Sequence, residues 1–224
     1  MIHSYKSRLI AIIAVFSLVP FLVYSQNAWI NELHYDNAGT DAGEFIEVVI
    51  QNAGTYSLAD FSVVLYNGSN GQSYDTKTLD LFATGVVSGS YSLYYYSYPA
   101  NGIQNGAPDG MALVYQGAVI SGQWLSYEGT MTAAIGPASG MLSVDIGVIE
   151  TGTEAIGNSL QLAGSGASYS DFLWQGPADD TPGQLNNNQT FPAPPADVPL
   201  SGWAVILGSV LIGLFAYFRI SKNS

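Results

Sequence analysis

Residues 26–190 predict an all-β sandwich or barrel, and three observations carry that prediction. Short β-rich runs recur along the stretch, with no convincing amphipathic helix between them. Turn dipeptides separate the runs: Asn-Gly occurs at 67–68, 70–71, 101–102 and 105–106, and Asp-Gly at 109–110. Such pairs supply positive φ at little steric cost. The run Tyr91–Tyr98 alternates with period two, which is a strand signal. A body of about 165 residues buries a sizeable core without disulfides. The 224-residue chain has no cysteine with which to form one.

The elements follow in order. Residues 1–25 join a basic start, MIHSYKSR, to the 15-residue apolar run LIAIIAVFSLVPFLV and then YS. Val23 and Ser25 sit at −3 and −1 of a cleavage site before Gln26, so this segment reads as a signal peptide. An uncleaved N-terminal anchor is the alternative, and both send residue 26 onward out of the cytoplasm. Strands are expected at Ala28–Leu33, Glu44–Ile50, Phe61–Tyr66, Tyr91–Tyr98, Met111–Tyr115, Gln123–Ser126, Ser159–Leu162 and Ser170–Trp174. In Tyr91–Tyr98, alternation gives Tyr91, Leu93 and Tyr95 to the core. It leaves Tyr94, Tyr96 and Tyr98 on the outward face.

After the body, FPAPPADVP at 191–199 reads as an extended tether. The apolar stretch at 200–218, about 19 residues, just spans a hydrocarbon core of ~30 Å as a helix. Trp203 and Tyr217 stand near its ends, and the basic tail at 219–224 holds Arg219 and Lys222. The positive-inside rule then places the tail in the cytoplasm and the body outside. Gly202, Gly208 and Gly213 are wrongly spaced for a GxxxG dimer face.

Charge is unevenly spread. Four of the five bases, Lys6, Arg8, Arg219 and Lys222, flank the terminal apolar stretches. Between residues 26 and 200, Lys77 alone faces all 17 acids, a net charge of −16. Such a surface repels phosphate backbones, so no direct binding to nucleic acid or anionic lipid is expected without bridging divalent cations. The only histidines are His3 and His34, which leaves catalytic triads and multi-histidine zinc sites short of parts.

The sequence also carries a resemblance. Trp29-Ile30-Asn31-Glu32-Leu33, a short polar loop, and Glu44-Phe45-Ile46-Glu47-Val48 resemble the opening of a lamin tail domain, with its INE and EFIE strands. The segment His34–Asp41 is similar to a bacterial extracellular subgroup of that family. So are VLYNGSNGQSY (64–74), NGIQNGAPDGMALV (101–114), LSYEGT (125–130), DIGVIETG (145–152), SLQLAGSGASYSDFLW (159–174) and TPGQLNNNQTF (181–191). The resemblance covers residues 28–191 and implies an immunoglobulin-like sandwich. In that subgroup the domain often accompanies secreted nuclease or phosphatase-like domains, or sits in multidomain surface proteins. No catalytic domain follows here, so the resemblance implies a binding or scaffolding module. The order of linker, VPLSGW, apolar span and basic tail resembles an exosortase-type C-terminal sorting signal of the bacterial envelope. The commonest such motif is Pro-Glu-Pro, whereas this chain reads Val198-Pro199-Leu200-Ser201. A permanent single-pass anchor is the alternative.

Two residue sets are candidate sites. Asp36, Asn37, Asp41, Glu44 and Glu47 gather around His34 in a glycine-containing stretch, which suits a hard cation such as Ca²⁺. The spacing is not that of an EF-hand, and Asp36, Asp41 and Glu44 converge only if the loop folds back. A solvated acidic turn is the alternative. Asp145, Glu150 and Glu154 read as turns and a polar edge, and Asp179 and Asp180 as a turn. His34 has no GxSxG or similar partner motif and reads as structural. Paired-carboxylate hydrolysis finds acids in plenty, but nothing selects a pair. The second set is Tyr94, Tyr96 and Tyr98, an outward platform for sugar rings or simply cross-strand stacking.

The expected function is a non-enzymatic cell-surface or secreted module for adhesion, matrix assembly or partner docking. Its partner would be an envelope or matrix component, or another surface protein. The alternative is a carbohydrate- or Ca²⁺-dependent binding module accessory to a separately encoded extracellular enzyme.

Overall fold

The computed structural model describes residues 26–193 and, beyond them, the helical residues Leu207, Val210 and Leu211. The expected leader at 1–25, most of the linker at 191–199, the expected span at 200–218 (those three residues apart) and the tail at 219–224 lie outside the described residues. Among the described residues no helix is long and apolar enough to cross a membrane.

Residues 26–193 form a β-sandwich. The strands are β1 (Ala28–His34), β2 (Phe45–Gln51), β3 (Phe61–Asn67), β4 (Gln72–Thr78), β5 (Ala83–Ser88) and β6 (Tyr91–Ser97), followed by β7 (Asp109–Tyr115), β8 (Ala118–Tyr127), β9 (Val144–Asp145), β10 (Asn158–Ser165), β11 (Phe172–Asp179) and β12 (Gln189–Thr190). One sheet runs β11-β10-β1-β2-β6-β5, with β12 added beside β10; the other runs β4-β3-β7-β8-β9. Ile30, Leu33, Ile46, Val48 and Leu160 from the first sheet meet Phe61, Val63, Leu65, Leu113 and Leu125 from the second in one buried core.

The outer faces are covered as well. Residues 131–141 fold over the second sheet, where Met131, Ala133 and Ala138 pack on Tyr66, Ala112 and Trp124. The C-terminal segment 180–191 straps the first sheet. Leu185 and Phe191 pack on Trp29, Val49, Tyr91 and Leu93, and Phe191 stacks on Tyr91 at 4.5 Å. Every residue of β1 is therefore buried.

This double burial reverses one expectation. Tyr94 and Tyr98, expected to point outward, are each only 7% exposed and lie in the core between the sheets with half-buried Tyr96 packed beside them. Tyr91 and Leu93, expected in that core, pack on the opposite face under Phe172 and Phe191. Both faces of this strand are aromatic or apolar, so alternation finds two faces without saying which is inside. The open Tyr94–Tyr96–Tyr98 platform is thus not formed.

Two further differences have local causes. Strands β4 and β5 are not legible in the sequence because QSYDTKT and ATGVVS carry little apolar pattern; both are partly exposed strands at sheet edges. Asp109-Gly110, expected as a turn, begins β7. A Cβ at Gly110 would stand 2.8 Å from the Leu125 carbonyl oxygen, so close strand packing calls for glycine there. Gly71 keeps the turn role expected of it, at φ +70° between β3 and β4.

Candidate functional site

Polar chemistry concentrates in three places: under the strap, around His34, and in two surface clefts. The strap site starts from an irregularity in β1. Its register with β2 shifts between Ile30 and Glu32. The extra residue lets Asn31 and Glu32 both reach the strap, whereas strict alternation would send one of them into the core. Beyond the shift, Glu32 lies directly opposite Glu47 of β2. Both are fully buried.

Both oxygens of each carboxylate accept hydrogen bonds, among them from the strap. Glu32 accepts from the Ser159 hydroxyl (2.6 Å) and from the Thr181 N–H (2.8 Å) and hydroxyl (2.9 Å). Glu47 accepts from Asn31 Nδ2 (2.9 Å) and the Gly183 N–H (2.7 Å). Asn186 Nδ2 donates to the carbonyls of Asn31 and Leu162, both at 2.9 Å, and Gln189 Nε2 donates to Asn31 Oδ1 at 2.7 Å. The strap is therefore fastened by the two acids and their amide neighbours.

Burial pushes the Glu32 carboxyl up to about 7 against the pull of its Ser159 and Thr181 hydrogen bonds. Burial, followed by the charge of Glu32, pushes Glu47 well above the usual carboxylate range. No cation relieves the pair, since Lys77, the only Lys or Arg in the body, sits on β4 of the other sheet.

The second place joins β1 to the segment after β9. His34 and Glu150 are both buried, with His34 Nδ1 2.8 Å from Glu150 Oε1. Glu150 Oε2 accepts the N–H groups of Tyr35 (2.7 Å) and Asp36 (2.9 Å). Asn37 Nδ2 donates to His34 Nε2 (2.9 Å) and to the Ala42 carbonyl (2.8 Å). An acceptor role for Nε2 places the histidine proton on Nδ1, facing Glu150. Burial pulls the His34 pKa down, but the Glu150 carboxylate outweighs it and holds it above its ordinary value. Both ring nitrogens are engaged within the fold. Glu150, expected to be a turn residue, is the buried partner that a search of the sequence around His34 missed. It is 116 positions away, and only the fold brings it near.

Of the expected cation ligands, Asp36 and Asp41 lie close together, whereas Glu44 is turned to other partners. Glu44 is buried, and its two oxygens accept the N–H groups of Gly102 (2.7 Å) and Ile103 (3.0 Å). Asp41 accepts from the Asn37 N–H (3.2 Å) and Asn105 Nδ2 (3.2 Å). Asp36 is raised by burial first and then by the nearby Asp41 carboxylate. Glu47 lies under the strap, apart from this loop. Among the described residues no group of three or more His, Asp or Glu is arranged to hold a metal ion. The sequence places Asp36, Asp41 and Glu44 close along the chain, but Glu44 is aimed at the loop after β6. The arrangement predicts no Ca²⁺-specific rise in melting temperature at millimolar Ca²⁺, with Mg²⁺ and EDTA as controls. A site filled at ~100-fold over its Kd would add roughly 2.7 kcal/mol, which a melting curve resolves easily.

Of the two clefts, the larger, about 660 Å³, lies among the loops that include Asp41, Asn67, Asn105 and Asp109. Its acids serve the loops themselves: Asp109 accepts the N–H groups of Gly68 (2.7 Å) and Gly106 (2.6 Å). The smaller, about 380 Å³, lies on the seam between the sheets and is lined by Tyr74, Asp75, Lys77, Tyr96, Tyr98 and Pro99 among others.

Fold and polar sites together define a two-sheet β module whose buried acids hold loops and strap in place. Searches against family models, curated proteins and solved structures found no match to this chain.

Proposed function

We propose that this chain is a non-enzymatic display module: a lamin-tail-like sandwich exported from the cell, tethered at its C-terminus and used for adhesion, matrix assembly or partner docking. The observation that carries the reading is the use made of the buried acids and His34. Glu32, Glu44, Glu47, Glu150 and Asp109 all accept hydrogen bonds within the fold, chiefly from backbone N–H groups, and His34 is closed in by Glu150 and Asn37. A catalytic acid or base has to reach a substrate proton; these groups reach the protein's own backbone. The lamin-tail resemblance draws support from its two signature runs, which form most of the adjacent antiparallel strands β1 and β2. The partly exposed edge strand β4 offers a site for strand addition by a partner, whereas the strap already takes the Val86 N–H of β5. The net charge of −16 between residues 26 and 200 suits a soluble body held off like-charged surfaces.

Protease added to intact bacteria expressing the full chain tests the reading. The body is expected to be cleaved from outside, and a chain ending before residue 200 is expected in the medium. A body that stays protected until the cells are lysed contradicts export.

A further inference from the structure

The seam pocket lies where β4, at the edge of one sheet, faces the end of β6 in the other. At about 380 Å³ it falls within the size range of small-ligand sites. Its walls are the aromatic and ring side chains of Tyr74, Tyr96, Tyr98 and Pro99. Asp75 and Lys77 stand in it as an ion pair, Nζ 2.8 Å from Oδ1, each side chain 25% exposed. Lys77 also lies over the Tyr96 ring, 5.6 Å from its centroid. The hydroxyl of Tyr98 is buried and has no hydrogen-bond partner among the described residues.

These features select a ligand class. An aromatic pocket beside a carboxylate usually suits a cation, but here the protein's own ammonium already occupies that position. The net charge of −16 between residues 26 and 200 disfavours anions. The Asp75–Lys77 pair has no net charge, yet it still offers a second carboxylate oxygen and two further ammonium protons side by side. An acceptor beside a donor matches a vicinal diol, in which each hydroxyl both gives and takes a hydrogen bond. The rings can lie against the apolar C–H surface of the same molecule. In the larger cleft, by contrast, Asp41 and Asp109 are already engaged by loop groups.

We infer that the seam pocket binds a neutral carbohydrate, with Asp75 and Lys77 on adjacent sugar hydroxyls and the tyrosine walls against its C–H surface. This goes beyond the display reading and stands or falls independently of where the chain resides.

The test is an amide NMR titration of the full chain in a detergent without a sugar headgroup. Glucose, galactose, mannose and N-acetylglucosamine are added separately, with glucuronate and tetramethylammonium as charged comparators. Saturable shifts confined to residues 74–77 and 96–102 are expected with at least one neutral sugar. Lys77→Met and Asp75→Asn should each weaken that binding by at least about fivefold. Both side chains are partly exposed, and an unchanged melting temperature shows that the fold persists. The inference is overturned by the absence of saturable shifts up to ~100 mM of every neutral sugar, far weaker than any functional affinity. It is also overturned by shifts remote from the seam, by either charged comparator binding there instead, or by binding that both variants leave intact.

Discussion

Glu150→Ala is expected to lower the melting temperature by about 10 °C. The substitution leaves two buried groups, His34 Nδ1 and the Tyr35 N–H, and the part-buried Asp36 N–H without their partner, all now within 2.9 Å of the carboxylate. Removing one member of a buried charged network costs about 3–5 kcal/mol. Each kcal/mol shifts the melting point of a domain this size by ~2–4 °C. Glu154 is the internal comparison. It also accepts backbone N–H groups, those of Thr151 and Thr153, but it is only half-buried where Glu150 is fully buried, so water can take its place there. Glu154→Ala should cost a small fraction of the Glu150 effect. Equal effects would mean that burial is not what gives Glu150 its weight.

The second large effect is on pH. Glu32 rises to about 7 in the folded chain from an ordinary 4.5, and Glu47 is also raised well above 4.5, with burial the leading cause for both. A raised pKa means that the folded state binds protons the unfolded state has released. The stabilising contribution is then complete below pH 4.5 and is lost as pH climbs through about 7. For Glu32 alone the loss is about 3 kcal/mol. Glu44, Glu150, Asp109 and His34 are raised as well and act in the same direction. Half-buried Glu154, where burial pushes up but the hydrogen bonds of the Thr151–Thr153 turn outweigh it and lower the pKa, is a minor opposing contribution. Asp180 adds its own charge against Glu32. The chain should therefore melt several degrees higher at pH 5 than at pH 8. A flat or rising profile across that interval would contradict the network under the strap.

The sheets were legible in the sequence because β1, β2, β3, β7 and β10 carry dense runs of apolar or β-branched residues. The facing of β6 was not legible, because Tyr91 and Leu93 are as apolar as Tyr94 and Tyr98 and the strap hides the outer face. Polar edge strands escaped for the opposite reason, since Tyr74 stands alone among polar neighbours in β4. The candidate site was legible only in composition. Glu32 and Glu47 stood out in their motifs, yet their opposition depends on a register shift at Asn31 that no alternation rule foresees. Glu44 looked like a cation ligand because Asp36 and Asp41 are near it in sequence, while its real partners are 58 and 59 positions away. Long-range pairing of this kind leaves no periodic trace.

The central claim is that the acids of this module hold backbone and strap together from within. Residue-resolved NMR titration of the glutamate side-chain carboxyls, in the full chain from pH 4 to 9, tests it most directly. Glu32 is expected to titrate near 7 and Glu47 well above the ordinary carboxylate range, with Glu154 in or below that range. Glu32 and Glu47 both titrating near 4.5, as exposed carboxylates do, would mean that the strap does not bury them and would contradict the account.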